Sequence, residues 1–261
     1  MRHCLKLLTV LFFVLFLCGG SAFAVNITIW DGVGVADEDG ETEPGMVNNQ
    51  SWDLEGFFLD GTKLTMVGGY DFANGEYGSG QLITSGDIFL SIDEPLYGPD
   101  AAALNANSSA NGYIEVTNNY GYDYAIDLNF DSSSGTYTYD VYELSNATIL
   151  TAWYDLNEAS NPWEYYSGGS LITSGSFSYT TGLSDSEAYG LSGTTHNALV
   201  IDLATILNVD EGFWAHFTMG CGNDNLMGYS APIPNPEPAT MLLFGAGLLG
   251  LAGVTRKKLK K

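Results

Sequence analysis

Tyr124-Ala125-Ile126-Asp127-Leu128-Asn129-Phe130-Asp131-Ser132-Ser133-Ser134-Gly135-Thr136-Tyr137-Thr138-Tyr139-Asp140-Val141 is the stretch that decides the fold. Side chains in a strand alternate between two faces. Tyr124, Ile126, Leu128 and Phe130 therefore share one face, and Tyr137, Tyr139 and Val141 share another. Placing both sets on one side of a hairpin pairs Leu128 with Tyr137 and Ile126 with Tyr139. It leaves Asp131–Ser134 as a four-residue loop. The opposite face then carries Ala125, Asp127 and Asn129 beside Thr136, Thr138 and Asp140.

The same reading extends outward. Leu54–Leu59, the turn Asp60-Gly61 and Thr62–Val67 form a tight hairpin. Asp87–Asp93 alternates, with Ile88, Leu90 and Ile92 on one face and Asp87, Phe89, Ser91 and Asp93 on the other. Further strands are expected near Asn26–Trp30, Leu82–Thr84, Tyr113–Thr117, Ser176–Thr180, Leu199–Asp202 and Phe213–Met219, with a short helical turn at Leu203–Leu207. No long apolar pattern of helical period is present. The fold class is all-β, an antiparallel β-sandwich with a jelly-roll-like character. Leu82-Ile83-Thr84-Ser85-Gly86 recurs as Leu171-Ile172-Thr173-Ser174-Gly175. This is either a duplicated half-domain or two strands that end in the same turn chemistry.

Composition agrees. The chain has 16 Tyr, 13 Phe and 32 Gly with only 15% charged residues, a β-rich profile. Seven of the eight Lys and Arg lie in the end segments, so Lys63 alone faces all 31 acids, a formal charge of −30. Nucleic acid is excluded as a partner, because phosphate contacts need clustered cations. An anionic membrane surface and an acidic substrate are disfavoured for the same reason.

Both ends read as targeting segments. Residues 1–24 form a secretory signal peptide: a basic start, the apolar run Leu7–Cys18 and the cleavage site Ala22-Phe23-Ala24. Cys18 follows Leu17 rather than a small residue, which argues against a lipidated cysteine. Cleavage leaves Cys221 as the one cysteine, so an intramolecular disulfide is excluded. Residues 25–230 are then the acidic ectodomain, and 231–238 a stiff Pro-rich linker. Residues 239–255 are a single transmembrane helix of 17 residues, about 26 Å long. Residues 256–261 are a basic tail expected to stay in the cytoplasm. Gly245-Ala246-Gly247-Leu248-Leu249-Gly250 matches a dinucleotide fingerprint, but no strand precedes it; its glycines suit close helix approach in a membrane.

Pro236-Glu237-Pro238, the apolar stretch behind it and Arg256-Lys257-Lys258-Leu259-Lys260-Lys261 resemble a PEP-CTERM sorting signal. The resemblance implies recognition by an exosortase, a membrane protease-transpeptidase, in a Gram-negative bacterium that makes extracellular polysaccharide or biofilm. His216, Cys221, Gly222, Asn223 and Asp224 are similar to a His-x-x-x-x-Cys-Gly-Asn-Asp stretch of exosortase-sorted surface proteins, with Gly220 where an acidic residue is common there.

Candidate chemistry is sparse. GxSxG, CxxC, HExxH and Walker A patterns are absent. His196 and His216 are the histidines left after cleavage. His216 with Cys221 and Asp224 could make a Cys-His pair or a zinc site, or His216 could be a strand residue and Cys221 a loop thiol. Calcium is the better metal expectation, with Asp37, Asp39, Glu41 and Glu43 as ligands around Gly40 and the Asp127/Asp140 face as a second place. Trp153, Trp163, Tyr165 and Tyr166, in a loop-like stretch, are candidate carbohydrate-binding residues, since aromatic rings stack on sugar faces. Trp52-Asp53-Leu54-Glu55, Asp60 and Ser85–Leu90 resemble sandwich carbohydrate-binding modules that hold structural calcium. The expected function is a non-catalytic, exosortase-sorted surface or matrix protein associated with exopolysaccharide. The alternatives are a carbohydrate-binding module and a secreted glycoside hydrolase.

Overall fold

The computed structural model describes residues 24–29, 47–78, 80–105, 112–154 and 158–232. Most of the expected signal peptide, the Asp37–Glu43 loop, Pro236-Glu237-Pro238, the 239–255 span and the basic tail lie outside the described residues. Among the described residues no helix is long and apolar enough to cross a membrane.

In chain order the strands are β1 (Val25–Asn26), β2 (Leu54–Asp60), β3 (Lys63–Gly68), β4 (Glu76–Gly78), β5 (Gln81–Ile83) and β6 (Ile88–Ser91). Helix α1 (Pro99–Asn105) follows, then β7 (Gly112–Thr117), β8 (Tyr124–Asp131), β9 (Thr136–Glu143), β10 (Ile149–Tyr154) and β11 (Glu164–Ser167). The chain continues through β12 (Ser170–Ser176), β13 (Ser178–Leu183), β14 (His196–Asp202), β15 (Phe213–Thr218) and β16 (Asn225–Ser230). Contacts divide the chain into two units, Met1–Ala231 and Pro232–Lys261, and all these strands belong to the first.

Two large antiparallel sheets dominate, one ordered β1-β2-β3-β14-β13 and the other β12-β9-β8-β6-β15-β16. They share one core. Phe57, Leu64, Met66, Leu199 and Ile201 enter it from the first sheet, and Ile88, Leu90, Ile126, Val141, Phe213, Phe217 and Leu226 from the second. Burying each such side chain contributes on the order of 1.5–3 kcal/mol. Gly228 faces the same core, and a Cβ there would come within 3.0 Å of the Phe57 ring. A third sheet, β11-β10-β7, covers the outer side of the second. Between them Phe89 and Ala125 pack with Tyr120, Tyr122 and Leu150.

The chain switches sheets at both flanks. Val25 and Asn26 pair with β2, while Thr28 bridges Gly228 on β16. Opposite, β12 pairs with β9 and β13 with β14, and the bend between them is held by Phe177 N–H donating to Tyr137 O. Strand switching of this kind makes the corners of packed sheets.

The β8–β9 hairpin keeps the expected faces but not the expected register. Leu128 opposes Tyr139, Ile126 opposes Val141, and the loop is residues 132–135. Asp131 closes it by accepting from the Ser133 and Ser134 N–H groups and from both hydroxyls. Gly135 takes φ 66°, a left-handed conformation that belongs in the loop rather than in a strand. The pairing therefore moves by two residues, which leaves the faces unchanged. The β2–β3 turn is likewise Gly61-Thr62 rather than Asp60-Gly61, because Asp60 pairs with Lys63. Gly61, at φ 59°, takes the first central position, where hairpin turns favour glycine.

Phe89, Ser91 and Asp87 are buried along with Ile88 and Leu90, so both faces of this strand are covered, while Ile92 and Asp93 at its end are exposed. Two other expectations change. The Trp153–Tyr166 stretch is strand at both ends, with Trp153 in β10 and Glu164, Tyr165 and Tyr166 in β11, while Trp163 lies in the connection between them. The repeated pentapeptide is not a structural repeat, because Leu82 and Ile83 pair with β4 whereas Leu171–Gly175 lies within β12. The strands expected at Tyr113–Thr117, Leu199–Asp202 and Phe213–Met219 form as Gly112–Thr117, His196–Asp202 and Phe213–Thr218, and the helical turn expected over Leu203–Leu207 covers Leu203–Thr205.

Candidate functional site

The residues with the most chemistry gather on the outer face of the six-stranded sheet. His216 points there, with Tyr122 stacked on its ring at 5.7 Å and Phe89 at 6.3 Å. Its Nε2–H donates to Pro162 O at 3.0 Å, while Nδ1 has no partner. Burial pushes its pKa down to about 4, so the ring is neutral near pH 7. Cys221 packs against the main core. With Nε2 on Pro162 O and Nδ1 without a hydrogen bond, His216 makes none to Cys221.

The rest of the Cys-Gly-Asn-Asp turn is a fastener. Gly222, at φ 62°, donates its N–H to Met219 O, and its carbonyl accepts from Ser160 Oγ at 2.8 Å. The buried Asp224 carboxylate accepts from Leu54 N at 2.7 Å and from Asn225 N at 2.8 Å. Thr218 Oγ donates to Asp224 O. This turn thus ties β2, the β15–β16 connection and the segment before β11 together. No group of three His, Cys, Asp or Glu among the described residues is placed to hold a metal ion, so the zinc reading of His216, Cys221 and Asp224 does not hold.

A row of carboxylates crosses the same outer face. Asp87 accepts from Leu128 N and from Tyr165 N, each at 2.8 Å, and so joins β8 to β11. Burial, with Asp127 and Glu164 nearby, lifts its pKa well above the usual carboxylate range. Asp127 lies directly opposite Asp140, and burial plus that neighbour raise its pKa. Glu164 is raised by burial and by Asp127. Ser174 Oγ donates to Asp140. Among the described residues no third His, Cys, Asp or Glu is grouped with the Asp127/Asp140 pair, the second place expected for calcium.

The expected sugar-binding aromatics separate. Trp163 stacks on Tyr113 at 4.6 Å, and its indole N–H has no partner. Tyr113 is 46% exposed. Tyr165 stacks on Tyr142 at 4.1 Å and donates its hydroxyl to Gly168 O. Tyr166 is 55% exposed. Trp153 lies in β10 opposite Tyr113. A second aromatic group, Tyr97, Trp214 and Tyr229, comes from three elements, with ring separations of 5.8 and 4.6 Å. Its one sequence signal is the outward position of Trp214 in the β15 alternation. A separate open groove of about 420 Å³ is lined by Thr62 and residues 204–210, with Asp210 as its one ionisable side chain.

Sequence reasoning missed one buried constellation. His196 on β14 places Nδ1 2.6 Å from Glu55 Oε2 and Nε2 3.2 Å from Asp185 Oδ1. Gln50 Nε2 donates to the other Glu55 oxygen at 3.0 Å. Burial works against a charged imidazole, but the hydrogen bonds and charges of Glu55 and Asp185 outweigh it and raise the His196 pKa. Glu55 and His196 are 141 residues apart, and no sequence pattern links the two.

A PEP-CTERM protein-sorting motif occupies residues 236–257. It implies export, processing by an exosortase and sorting to the cell surface. No curated protein and no solved structure matches the chain.

Proposed function

We propose that this chain is an exosortase-sorted surface protein whose ectodomain, a β-sandwich, is non-catalytic and associates with extracellular polysaccharide or biofilm matrix. One observation supports the non-catalytic part most strongly. Three of the buried groups nearest to catalytic chemistry hold backbone atoms in place: His216 on Pro162 O, Asp87 on two strand N–H groups and Asp224 on Leu54 N. A catalytic acid, base or nucleophile needs reach to a substrate.

A carbohydrate-binding module is the second reading. It is favoured by the half-exposed Tyr113 backed by Trp163, and by exposed Tyr166. The charge of −30 favours a neutral glycan, because an anionic one is repelled. Calcium belongs to the same proposal as a stabiliser of the acidic ectodomain, with Asp37, Asp39, Glu41 and Glu43 as its ligands. Its signature is a rise in melting temperature with calcium that magnesium at matched ionic strength does not reproduce.

The test incubates the full chain with neutral and anionic extracellular polysaccharides. Retention on a neutral polysaccharide without release of reducing ends is expected. Release of reducing ends would make the chain a glycoside hydrolase, and retention on none would overturn the polysaccharide reading.

A further inference from the structure

Residues 165–184, from Tyr165 to Ser184, contain none of the eight Lys and Arg, none of the 31 acids and none of the eight prolines. In so acidic a chain this is a neutral island, and it falls on an edge. β12 is the terminal strand of the six-stranded sheet and pairs only with β9. Its register slips between Leu171 and Thr173, which leaves Ile172 as an extra residue. A bulge re-aims side chains, and here Leu171 and Ile172 are both exposed, at 57% and 41%. Tyr166 is exposed just before them.

Edge strands expose unpaired N–H and C=O groups, and proteins block them with Lys, Pro, inward charges or covering segments. β12 carries a bulge but neither charge nor proline. We propose that β12 is a docking edge for a second copy of this chain, whose own β12 adds antiparallel to it about a twofold axis. Electrostatics selects the occupant. Two copies meeting on a surface that carries Asp or Glu bring carboxylates against carboxylates, with Lys63 as the one cation of the ectodomain. β12 itself brings no charge from either copy, so backbone pairing and the burial of Leu171 and Ile172 meet only the repulsion of flanking acids such as Asp140 and Glu143 on β9. An isologous contact is self-complementary, as a twofold axis requires.

The full chain in mild detergent, followed by sedimentation at rising concentration, tests this. Wild type is expected to form dimers at tens of micromolar, more completely as monovalent salt screens the surrounding acids. Ile172→Lys should sediment as a monomer with an unchanged circular dichroism spectrum. Leu82→Lys, which places the same charge on another exposed apolar residue, should still dimerise. Hydrogen exchange should slow at residues 170–176 as concentration rises. A monomeric wild type, dimers undiminished in Ile172→Lys, or protection confined to another segment would each overturn the proposal.

Discussion

The two layers buried on either side of the six-stranded sheet are built by different physics. The inner one is apolar: Phe57, Phe72, Phe213 and Phe217 meet Leu, Ile and Met side chains from both large sheets. The outer one mixes Phe89, Tyr120, Tyr122 and Leu150 with buried Asp87, Asn118, His216 and Thr218. Area removed from water holds the first. Directed hydrogen bonds hold much of the second, and Ser91 Oγ, Asn118 Oδ1 and His216 Nδ1 have no partner there. The inner layer should thus be insensitive to pH and costly to truncate. The outer layer should be cheaper to alter and should titrate.

The largest effect is expected from Phe217→Ala. Phe217 is fully buried, edge-on to Phe72 at 5.6 Å. Its truncation should cost about 3–5 kcal/mol, read by urea denaturation at pH 7. Asp87→Asn breaks the outer layer more gently. The amide oxygen can serve one of the two N–H groups of Leu128 and Tyr165, and its NH2 opposes the other. The loss should be about 1–3 kcal/mol, offset in part because repulsion from Asp127 and Glu164 is relieved. A loss as large as that of Phe217→Ala would erase the distinction between the layers.

The smallest effect per group is pH dependence, and its sign is fixed. Asp87, Asp127, Glu164 and His196 all have folded pKa values raised above their ordinary ones. For each, the folded state binds protons that the unfolded chain has released, so stability is fully present below the ordinary pKa and falls as pH rises through the folded one. Melting temperature should therefore decline as pH rises from the ordinary carboxylate range of about 4 and past the ordinary histidine value of about 6.5. Below that range the trend reverses. Asp131 is held down at about 2 by Ser133 and Ser134, and Asp202 is lowered by Thr62; their contributions are lost as pH falls below the ordinary carboxylate range. Asp87→Asn should flatten the decline. A melting temperature that rises steadily to pH 8 would contradict this account of the outer layer.

The same contrast explains what could be read from sequence. Inner-layer residues carry period two, so Ile126, Leu128 and Val141 are assigned to one face from order alone. Register was harder, because Gly135 and the Asp131 loop cap settle it and alternation does not distinguish a shift of two. The outer layer was not legible as buried. Alternation puts Asp87, Phe89 and Ser91 on one face, and nothing local shows that β10 and β11, from a distant segment, cover it. His196 and Glu55 meet only through the pairing of β2, β3 and β14, which no local pattern encodes. The sorting signal was legible in full, since it is read from a linear order of Pro-Glu-Pro, apolar stretch and basic end.

That signal carries the central claim, that the β domain is an exported cargo delivered to the surface by an exosortase. The most direct measurement is mass spectrometry of the C-terminus of wild type and Glu237→Ala recovered from the native host. Wild type is expected to reach the surface without its apolar C-terminal segment, and Glu237→Ala to keep that segment and accumulate in the membrane. Identical C-termini in the two proteins would contradict the account.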